Sequence, residues 1–257
     1  MHQPRFWPST AAGTVLAPRD VVAIDDAAAR RAAGAPLAYA VRSAPFRRLT
    51  LHVDERVLIP RPETEYLVDR ILATPQGAAG GTAVDIGTGS GAIALALATE
   101  GTFDRVVASD VSSDALDVAR ENARRYQGTM FGTVEWRVGD ALAPLGDLSN
   151  AVDVLVSNPP YIAFAEVADL PQLVRNWEPP QALACPDHGL AVTRSIVNGA
   201  GMLLRSGGLL AFETDSRRAG QVAELVVGEG SFGDVRVLCD LTGRERFVFA
   251  TRLRANR

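Results

Sequence analysis

The chain has 257 residues, 47% of them hydrophobic and 22% charged, which suits one large globular domain or a domain with a small appendage. The net charge of −4 disfavours a dedicated nucleic-acid binder, and two distant cysteines with three dispersed histidines argue against a disulfide framework or a metal site. No apolar run approaches the roughly 20 residues of a membrane span and the first residues lack a signal-peptide core, so we expect a cytoplasmic protein.

The first quarter of the chain predicts a helix, a hairpin and a second helix. Residues 20–33 are alanine-rich, with apolar residues on one side of a short helix. Residues 46–53 alternate between apolar and polar, and residues 56–59 form a second apolar run, which predicts a β-hairpin that ends at Pro60. A helix should open at Pro62, because proline suits the first turn and the acids Glu63 and Glu65 follow it.

From residue 82 onward, strand patterns alternate with helix-length segments, notably residues 91–99 and 113–125. Such repeats imply a mostly parallel sheet with right-handed crossovers and helices on both faces. The segment between the last two strands is too short for a crossover helix, so these strands should pair antiparallel as a hairpin at one edge. The seven predicted strands are Ala83–Ile86, Arg105–Ser109, Val134–Val138, Val152–Val156, Leu209–Glu213, Val235–Leu238 and Arg246–Thr251.

A glycine-rich turn joins the first of these strands to its helix. Glycines there let the backbone approach a ligand closely and tolerate positive φ. The third glycine comes one residue earlier than in the dinucleotide-binding pattern, and Asp85 before the turn would repel a pyrophosphate. A carboxylate suits a cationic ligand instead, such as the amino group or sulfonium of S-adenosylmethionine. The predicted cofactor-binding residues of this turn are Asp85, Gly87, Thr88, Gly89, Ser90 and Gly91.

Two further aspartates end the next two strands. Asp110 is placed to accept hydrogen bonds from ribose hydroxyls, by the logic of the ribose acid in dinucleotide folds. Asp140, with Ala141 beside it, is placed to accept from an adenine amino group. Each aspartate alone could be an N-cap or turn residue. Three carboxylates at successive strand ends favour a nucleoside cofactor.

The run Asn158-Pro159-Pro160-Tyr161 follows a buried parallel strand at residues 152–157. Two prolines restrict the backbone where it leaves the sheet and remove N–H donors. A proline-rich strand end can also have a purely structural role. An amide side chain and unpaired carbonyls at the carboxyl edge of a sheet suit a planar –NH2 group. We therefore expect chemistry on an amino or amide nitrogen, with Asn158 also bordering the cofactor.

With these motifs in this order, the chain resembles class I S-adenosylmethionine-dependent methyltransferases, whose fold is a Rossmann-like seven-stranded sheet, mostly parallel with an antiparallel edge strand. Residues 58–65, Leu-Ile-Pro-Arg-Pro-Glu-Thr-Glu, closely resemble a segment of the release-factor glutamine methyltransferases (the HemK/PrmC family). The resemblance runs from about Gly34 to the C-terminus. It implies a short helical N-terminal region at residues 1–44 (a truncated substrate-docking domain), a β-hairpin linker at 45–61 and a catalytic domain at 62–257.

The resemblance implies methylation of N5 of the glutamine in the Gly-Gly-Gln loop of class 1 peptide-chain release factors. S-adenosylmethionine would be the methyl donor, without a metal, and we expect a monomer that does not bind nucleic acid directly. Arg61 and Thr64 are assigned to cofactor or substrate closure, and Asn158, Pro159, Pro160 and Tyr161 to catalysis and substrate binding. The chain departs from the family pattern at Thr214-Asp215 and at residues 185–188.

Three other functions stay open at this point. The Asn-Pro-Pro-Tyr motif suits an adenine amino group equally well, which makes an N6-adenine nucleic-acid methyltransferase one alternative. Methylation of a ribosomal-protein glutamine is another, although that family differs after the Arg-Pro position. A protein that binds the cofactor without catalysis, for interaction or regulation, is the third.

Overall fold

The computed structural model describes residues 16–254, and the N-terminal residues 1–15 lie outside this part of the chain. Helices α1 and α2 span Pro18–Ala32 and Leu37–Ala40, followed by strands β1 (Ala44–Phe46) and β2 (Leu49–Leu51). After α3 (Pro62–Leu72) and α4 (Pro75–Ala79) come β3 (Gly81–Ile86), α5 (Ala92–Glu100), β4 (Phe103–Asp110), α6 (Ser113–Tyr126), β5 (Thr133–Val138) and β6 (Val152–Ser157). Further elements along the chain include β7 (Ile162–Ala163), α7 (Gln172–Trp177), α8 (Pro180–Leu183), β8 (Ala184–Cys185), α9 (Ala191–Leu203), β9 (Leu204–Glu213), α10 (Ala219–Glu229), β10 (Phe232–Cys239) and β11 (Glu245–Arg252).

Seven strands form one sheet in the order β10-β11-β9-β6-β3-β4-β5. The pairs from β9 to β5 are parallel, whereas β11 is antiparallel to both β9 and β10. The predicted seven-stranded, mostly parallel α/β fold is confirmed. The antiparallel strand lies one position in from the edge, because the crossover through α10 leaves a gap beside β9 that β11 fills.

Two apolar layers cover the sheet. One contains α3 and α5 with the hairpin β1–β2, and the other contains α9 and α10. Helix α5 is buried on all sides from Ala92 to Ala98, which explains why its sequence has no polar face. The carboxyl ends of β3, β4, β5 and β6 all reach the same edge of the sheet, and this edge carries the predicted site residues.

The predicted hairpin is wrong in its second strand. The observed pair is β1 with β2, in which Phe46 opposes Leu49 across a two-residue turn that holds Arg47 at φ +53°. Residues 54–57 form a turn instead, because an Asp54 side-chain oxygen accepts from the Arg56 N–H (3.1 Å) and its carbonyl accepts from the Val57 N–H (3.1 Å).

Helix α1 confirms the helix predicted for residues 20–33, and it contains no buried residue. Its valines Val21 and Val22 and its isoleucine Ile24 are exposed, so the apolar side of this helix does not pack on the sheet. The division into residues 1–44, 45–61 and 62–257 stays a prediction. Among residues 16–254, no helix is long and apolar enough to cross a membrane.

Candidate functional site

A cleft lies at the carboxyl edge of the sheet, above β3, β4, β5 and β6. It encloses about 810 Å³ including the open solvent at its mouth. Of the predicted residues, the cleft is lined by Gly87, Gly89, Asp110, Asp140, Ala141, Asn158, Pro159 and Pro160. The fold therefore brings together residues from four strand ends that are far apart in the sequence.

The glycine turn presents its backbone to this cleft. Gly87 and Gly89 have φ of +73° and +55°, and a Cβ at either position would project into open space. Gly91 also has positive φ (+81°), and a Cβ there would lie 3.2 Å from both Ala119 and Trp136. The left-handed backbone favours glycine at all three positions, and at Gly91 a Cβ would also crowd its neighbours.

Asp85 lies beneath the turn and does not line the cleft. One carboxylate oxygen accepts from the Thr88 hydroxyl (2.6 Å) and from the Ala94 N–H (3.1 Å), so it links the turn to the start of α5. The other oxygen is buried without a partner among the described residues. Burial raises the pKa of Asp85 to about 7, although the two donors oppose that shift. Thr88 and Ser90 are likewise buried.

Asp110 is fixed at the rim of the cleft by backbone donors. Its carboxylate accepts from the Gly89 N–H (2.9 Å) and the Ser112 N–H (2.9 Å). Burial raises the pKa of this carboxyl, while the N–H donors lower it. Asp140 is exposed on the opposite wall, where it can reach a ligand directly.

The strand exit at Asn158 is held from two sides. The Ser157 hydroxyl donates to the Ile86 carbonyl (2.7 Å), which ties β6 to β3. The Asn158 amide nitrogen donates to the Thr64 hydroxyl oxygen (3.2 Å), and the Asn158 side-chain oxygen receives no hydrogen bond from the described residues. The Pro160 carbonyl accepts from the Cys185 thiol (3.2 Å).

A second, smaller pocket adjoins the cleft on the far side of Asn158. It encloses about 570 Å³ and is lined by Tyr161, Arg61 and apolar side chains that include Leu170 and Val174. Leu58, Asn158, Pro159 and Ala182 border both pockets, so the two spaces meet at Asn158. Burial raises the pKa of Tyr161 to about 12, which keeps its hydroxyl protonated.

Arg61 and Thr64 stand outside the main cleft. Arg61 pairs with the buried carboxylate of Glu178 at 2.6 Å, and Thr64 is buried beneath Asn158. The sequence did not predict the part of the cleft wall formed by residues 56–58, which are separated from the Pro60-Arg61 motif by Ile59. It also left out Glu213, a buried acid that ends the apolar strand β9.

The residues present suit S-adenosylmethionine, the cofactor that the fold implies. The open backbone at Gly87 and Gly89 and the carboxylates of Asp110 and Asp140, all of which line the cleft, match a cationic nucleoside with hydroxyl and amino donors. Among residues 16–254, no cluster of three or more His, Cys, Asp or Glu side chains could hold a metal ion.

Comparison with known proteins agrees with this fold. Residues 62–175 match the family model described as Methyltransferase small domain. The chain is 44% identical over 223 residues to a release factor glutamine methyltransferase of Moorella thermoacetica, covering 87% of this chain and 77% of that protein. It is 43% identical over 240 residues to the corresponding protein of Mycolicibacterium smegmatis, covering 92% and 82%.

Among solved structures, a methyltransferase from Pyrococcus furiosus superposes with a TM-score of 0.59 at 17% identity, covering 93% of this chain and all of that one. This likeness shows the fold alone, whereas the sequence relatives show the family. The chain therefore belongs to the release factor glutamine methyltransferase family, as its motifs predict, and is an S-adenosylmethionine-dependent methyltransferase.

Proposed function

We propose that this protein transfers a methyl group from S-adenosylmethionine to N5 of the glutamine in the Gly-Gly-Gln loop of class 1 peptide-chain release factors. The relatives that match most of the chain are named release factor glutamine methyltransferase, which supports a release-factor glutamine as the acceptor. The observation that carries the proposal is the free side-chain oxygen of Asn158, which lies where the nucleoside cleft meets the second pocket.

The site must overcome the weak nucleophilicity of an amide nitrogen, whose lone pair is delocalised into the carbonyl. The side-chain oxygen of Asn158 and the carbonyl of Pro159 accept the two N–H groups of the substrate amide. The stiff diproline limits the movement of both acceptors. An amide bound through its two N–H groups keeps its nitrogen lone pair free for the methyl donor. S-adenosylmethionine supplies the methyl group there as a sulfonium electrophile. Orientation and electrostatic fit provide most of the acceleration.

The second pocket suits the glutamine side chain and its neighbours in the release-factor loop. Its apolar lining by residues such as Leu58 and Leu170 excludes water, and Tyr161 stands on its wall beside the acceptors. On the other side of Asn158, Gly87, Gly89, Asp110 and Asp140 hold the donor, while Asp85, Thr88, Ser90 and Gly91 shape the turn from below.

An N6-adenine nucleic-acid methyltransferase is the second candidate, because Asn158-Pro159-Pro160-Tyr161 fits an adenine amino group as well as an amide. The net charge of −4 speaks against it, since a nucleic-acid substrate needs a basic surface.

The experiment is to incubate the protein with labelled S-adenosylmethionine and, separately, a purified class 1 release factor, ribosomal protein, DNA or RNA, and to map the modified residue by mass spectrometry. The proposal predicts one methyl group on the Gly-Gly-Gln glutamine. Label in nucleic acid or in a ribosomal protein, with none in the release factor, contradicts it. Binding of the donor without transfer to any acceptor would instead indicate a protein that no longer catalyses.

A further inference from the structure

A buried acid stands directly beside the Asn158 site. Ser157 is the register partner of Phe212 in the parallel pair β6–β9, so the next residues, Asn158 and Glu213, leave neighbouring strands at the same edge. Glu213 is 1% exposed, and its Oε2 is buried without a hydrogen-bond partner among the described residues. Burying a carboxyl group without full hydrogen bonding is costly, which indicates a role beyond packing.

The hydroxyl of Thr64 joins this acid to Asn158. The Thr64 oxygen accepts from the Asn158 amide nitrogen at 3.2 Å, and both side chains lie beside the Glu213 carboxyl. A threonine hydroxyl has one hydrogen to donate. Because Asn158 already donates to Thr64, the Thr64 hydrogen is available for the Glu213 carboxylate. A bond from the Thr64 hydroxyl to Glu213 would give a chain of donors that runs in one direction, from Asn158 through Thr64 to Glu213.

We propose that Glu213 is a positioning residue for methyl transfer, whose carboxylate orients Asn158 through the Thr64 hydroxyl. With the nitrogen of Asn158 held toward Thr64, its oxygen is the atom presented to the substrate amide. If the side chain turned over, it would present an N–H to the substrate N–H groups, and the acceptor would be lost. The inference rests on the proposed function for its substrate, although the hydrogen-bond chain itself does not.

The groups around Glu213 determine the pH range in which its carboxylate can accept a hydrogen bond from Thr64. Thr64 and Asn158 favour the carboxylate, as does the guanidinium of Arg246 on β11, while Glu63 on α3 opposes it. Tyr161 also lies close to Glu213. Burial is the largest effect and raises the pKa of Glu213 to about 7. Protonation of Glu213 near neutral pH therefore weakens the acceptor and with it the orientation of Asn158.

Kinetics of Thr64 and Glu213 variants test the proposal. Thr64→Val removes the hydroxyl at constant volume and should lower kcat about tenfold with little change in KM, whereas Thr64→Ser keeps the hydroxyl and should restore kcat. Glu213→Gln should also lower kcat about tenfold and abolish the acidic limb of the kcat profile near pH 7. The double variant should be no slower than the worse single variant, because both act through one path. Unchanged kcat in Thr64→Val, or a retained acidic limb in Glu213→Gln, overturns the proposal.

A second measurement does not need the release factor to be the substrate. In a 15N–1H spectrum, the side-chain NH2 signals of Asn158, assigned by their loss in Asn158→Asp, should shift with pH around 7. That shift should vanish in Thr64→Val and in Glu213→Gln. A signal that titrates equally in all three proteins rejects the Glu213 role. Absence of release-factor methylation by the wild-type protein instead rejects the proposed function, while the spectrum still decides the hydrogen-bond chain.

Discussion

The guanidinium of Arg61 lies 2.6 Å from a carboxylate oxygen of Glu178, although 117 positions separate the two residues in the chain. Glu178 also accepts from the Ile59 N–H at 3.4 Å, so it is tied to both sides of Pro60. Arg61 is the N-cap residue of α3, and Pro179, next to Glu178, lines the cleft. The ion pair therefore links the segment before α3 to residues 178–179 at the wall of the cleft.

Arg61→Met should lower the free energy of unfolding by about 2–3 kcal/mol, because it leaves the Glu178 carboxylate buried without its countercharge. The expected loss is below that of a fully buried pair, since the Arg61 side chain is 32% exposed. Urea unfolding measures it. Arg19→Met, at an arginine 88% exposed, is the matched control and should change nothing. If the urea midpoint of Arg61→Met equals that of the control, the Arg61–Glu178 pair does not stabilise the folded protein.

Asn122 connects the hairpin region to the glycine turn. Its oxygen accepts from the His52 N–H (2.6 Å), and its nitrogen donates to the carbonyls of His52 and Ser90 (both 3.0 Å). Asn122→Ala leaves these buried groups without hydrogen-bond partners. We therefore expect a loss of about 2–4 kcal/mol in unfolding free energy and weaker cofactor binding by calorimetry. Asn198→Ala, at an exposed asparagine, should leave both quantities unchanged. Normal cofactor affinity in a folded Asn122→Ala variant would show that the contact between the hairpin region and the glycine turn does not affect cofactor binding.

The stability of the cofactor-free protein should fall as the pH rises from about 4 to 7. Burial raises the pKa of Asp85 and of Glu213 to about 7, so between these pH values each folded carboxyl keeps a proton that the unfolded chain has released. Stability is then fully present below the unfolded pKa and lost as pH rises through the folded pKa. Asp85→Asn removes one such group and should reduce the slope by about 1.4 kcal/mol per pH unit.

Urea unfolding at pH 5, 6, 7 and 8 measures that slope for the wild-type protein and for Asp85→Asn. Paired carboxylates such as Asp54, whose pKa the Arg56 guanidinium lowers to about 2, titrate below this window and do not mask the effect. Equal slopes in the two proteins would mean that Asp85 is ionised throughout the window.

Thr214 is one of the positions at which we expect the chain to depart from its family pattern. Its buried hydroxyl has no hydrogen-bond partner among the described residues. Its backbone N–H is bonded to the Arg246 carbonyl, so the main chain does not depend on the side chain. Thr214→Val keeps the shape and removes the unpaired group, and should stabilise the protein by about 1 kcal/mol. Thermal unfolding measures the gain. A destabilised variant would indicate that the hydroxyl has a partner in solution.

The sequence predicted the central sheet well because its strands are apolar runs separated by helix-length segments. It also placed Asp110, Asp140 and Asn158 together, since the carboxyl ends of parallel strands share one edge. The hairpin was misplaced because residues 46–53 were read as one strand, although two consecutive polar residues, Arg47 and Arg48, interrupt the alternation where the chain reverses. The positive φ of Arg47 marks that turn in the structure.

Contacts between distant segments could not be predicted in this way. Arg61 with Glu178 and Thr64 with Asn158 depend on how the segment before α3 folds back over the sheet, which no local pattern encodes. Asp85 has the chemistry expected of a cofactor ligand, yet it lies beneath the turn rather than in the cleft. Glu213 carries the signal of an acid at a strand end, the same signal that identified Asp110.

The most direct test of the proposed function is the turnover of Asn158→Ala. It is measured with labelled S-adenosylmethionine and a class 1 release factor, and cofactor affinity is measured by calorimetry on the same variant. We expect kcat to fall by at least about a hundredfold while the cofactor still binds, because the substrate amide loses a fixed acceptor. Near-normal turnover with intact cofactor binding would contradict it.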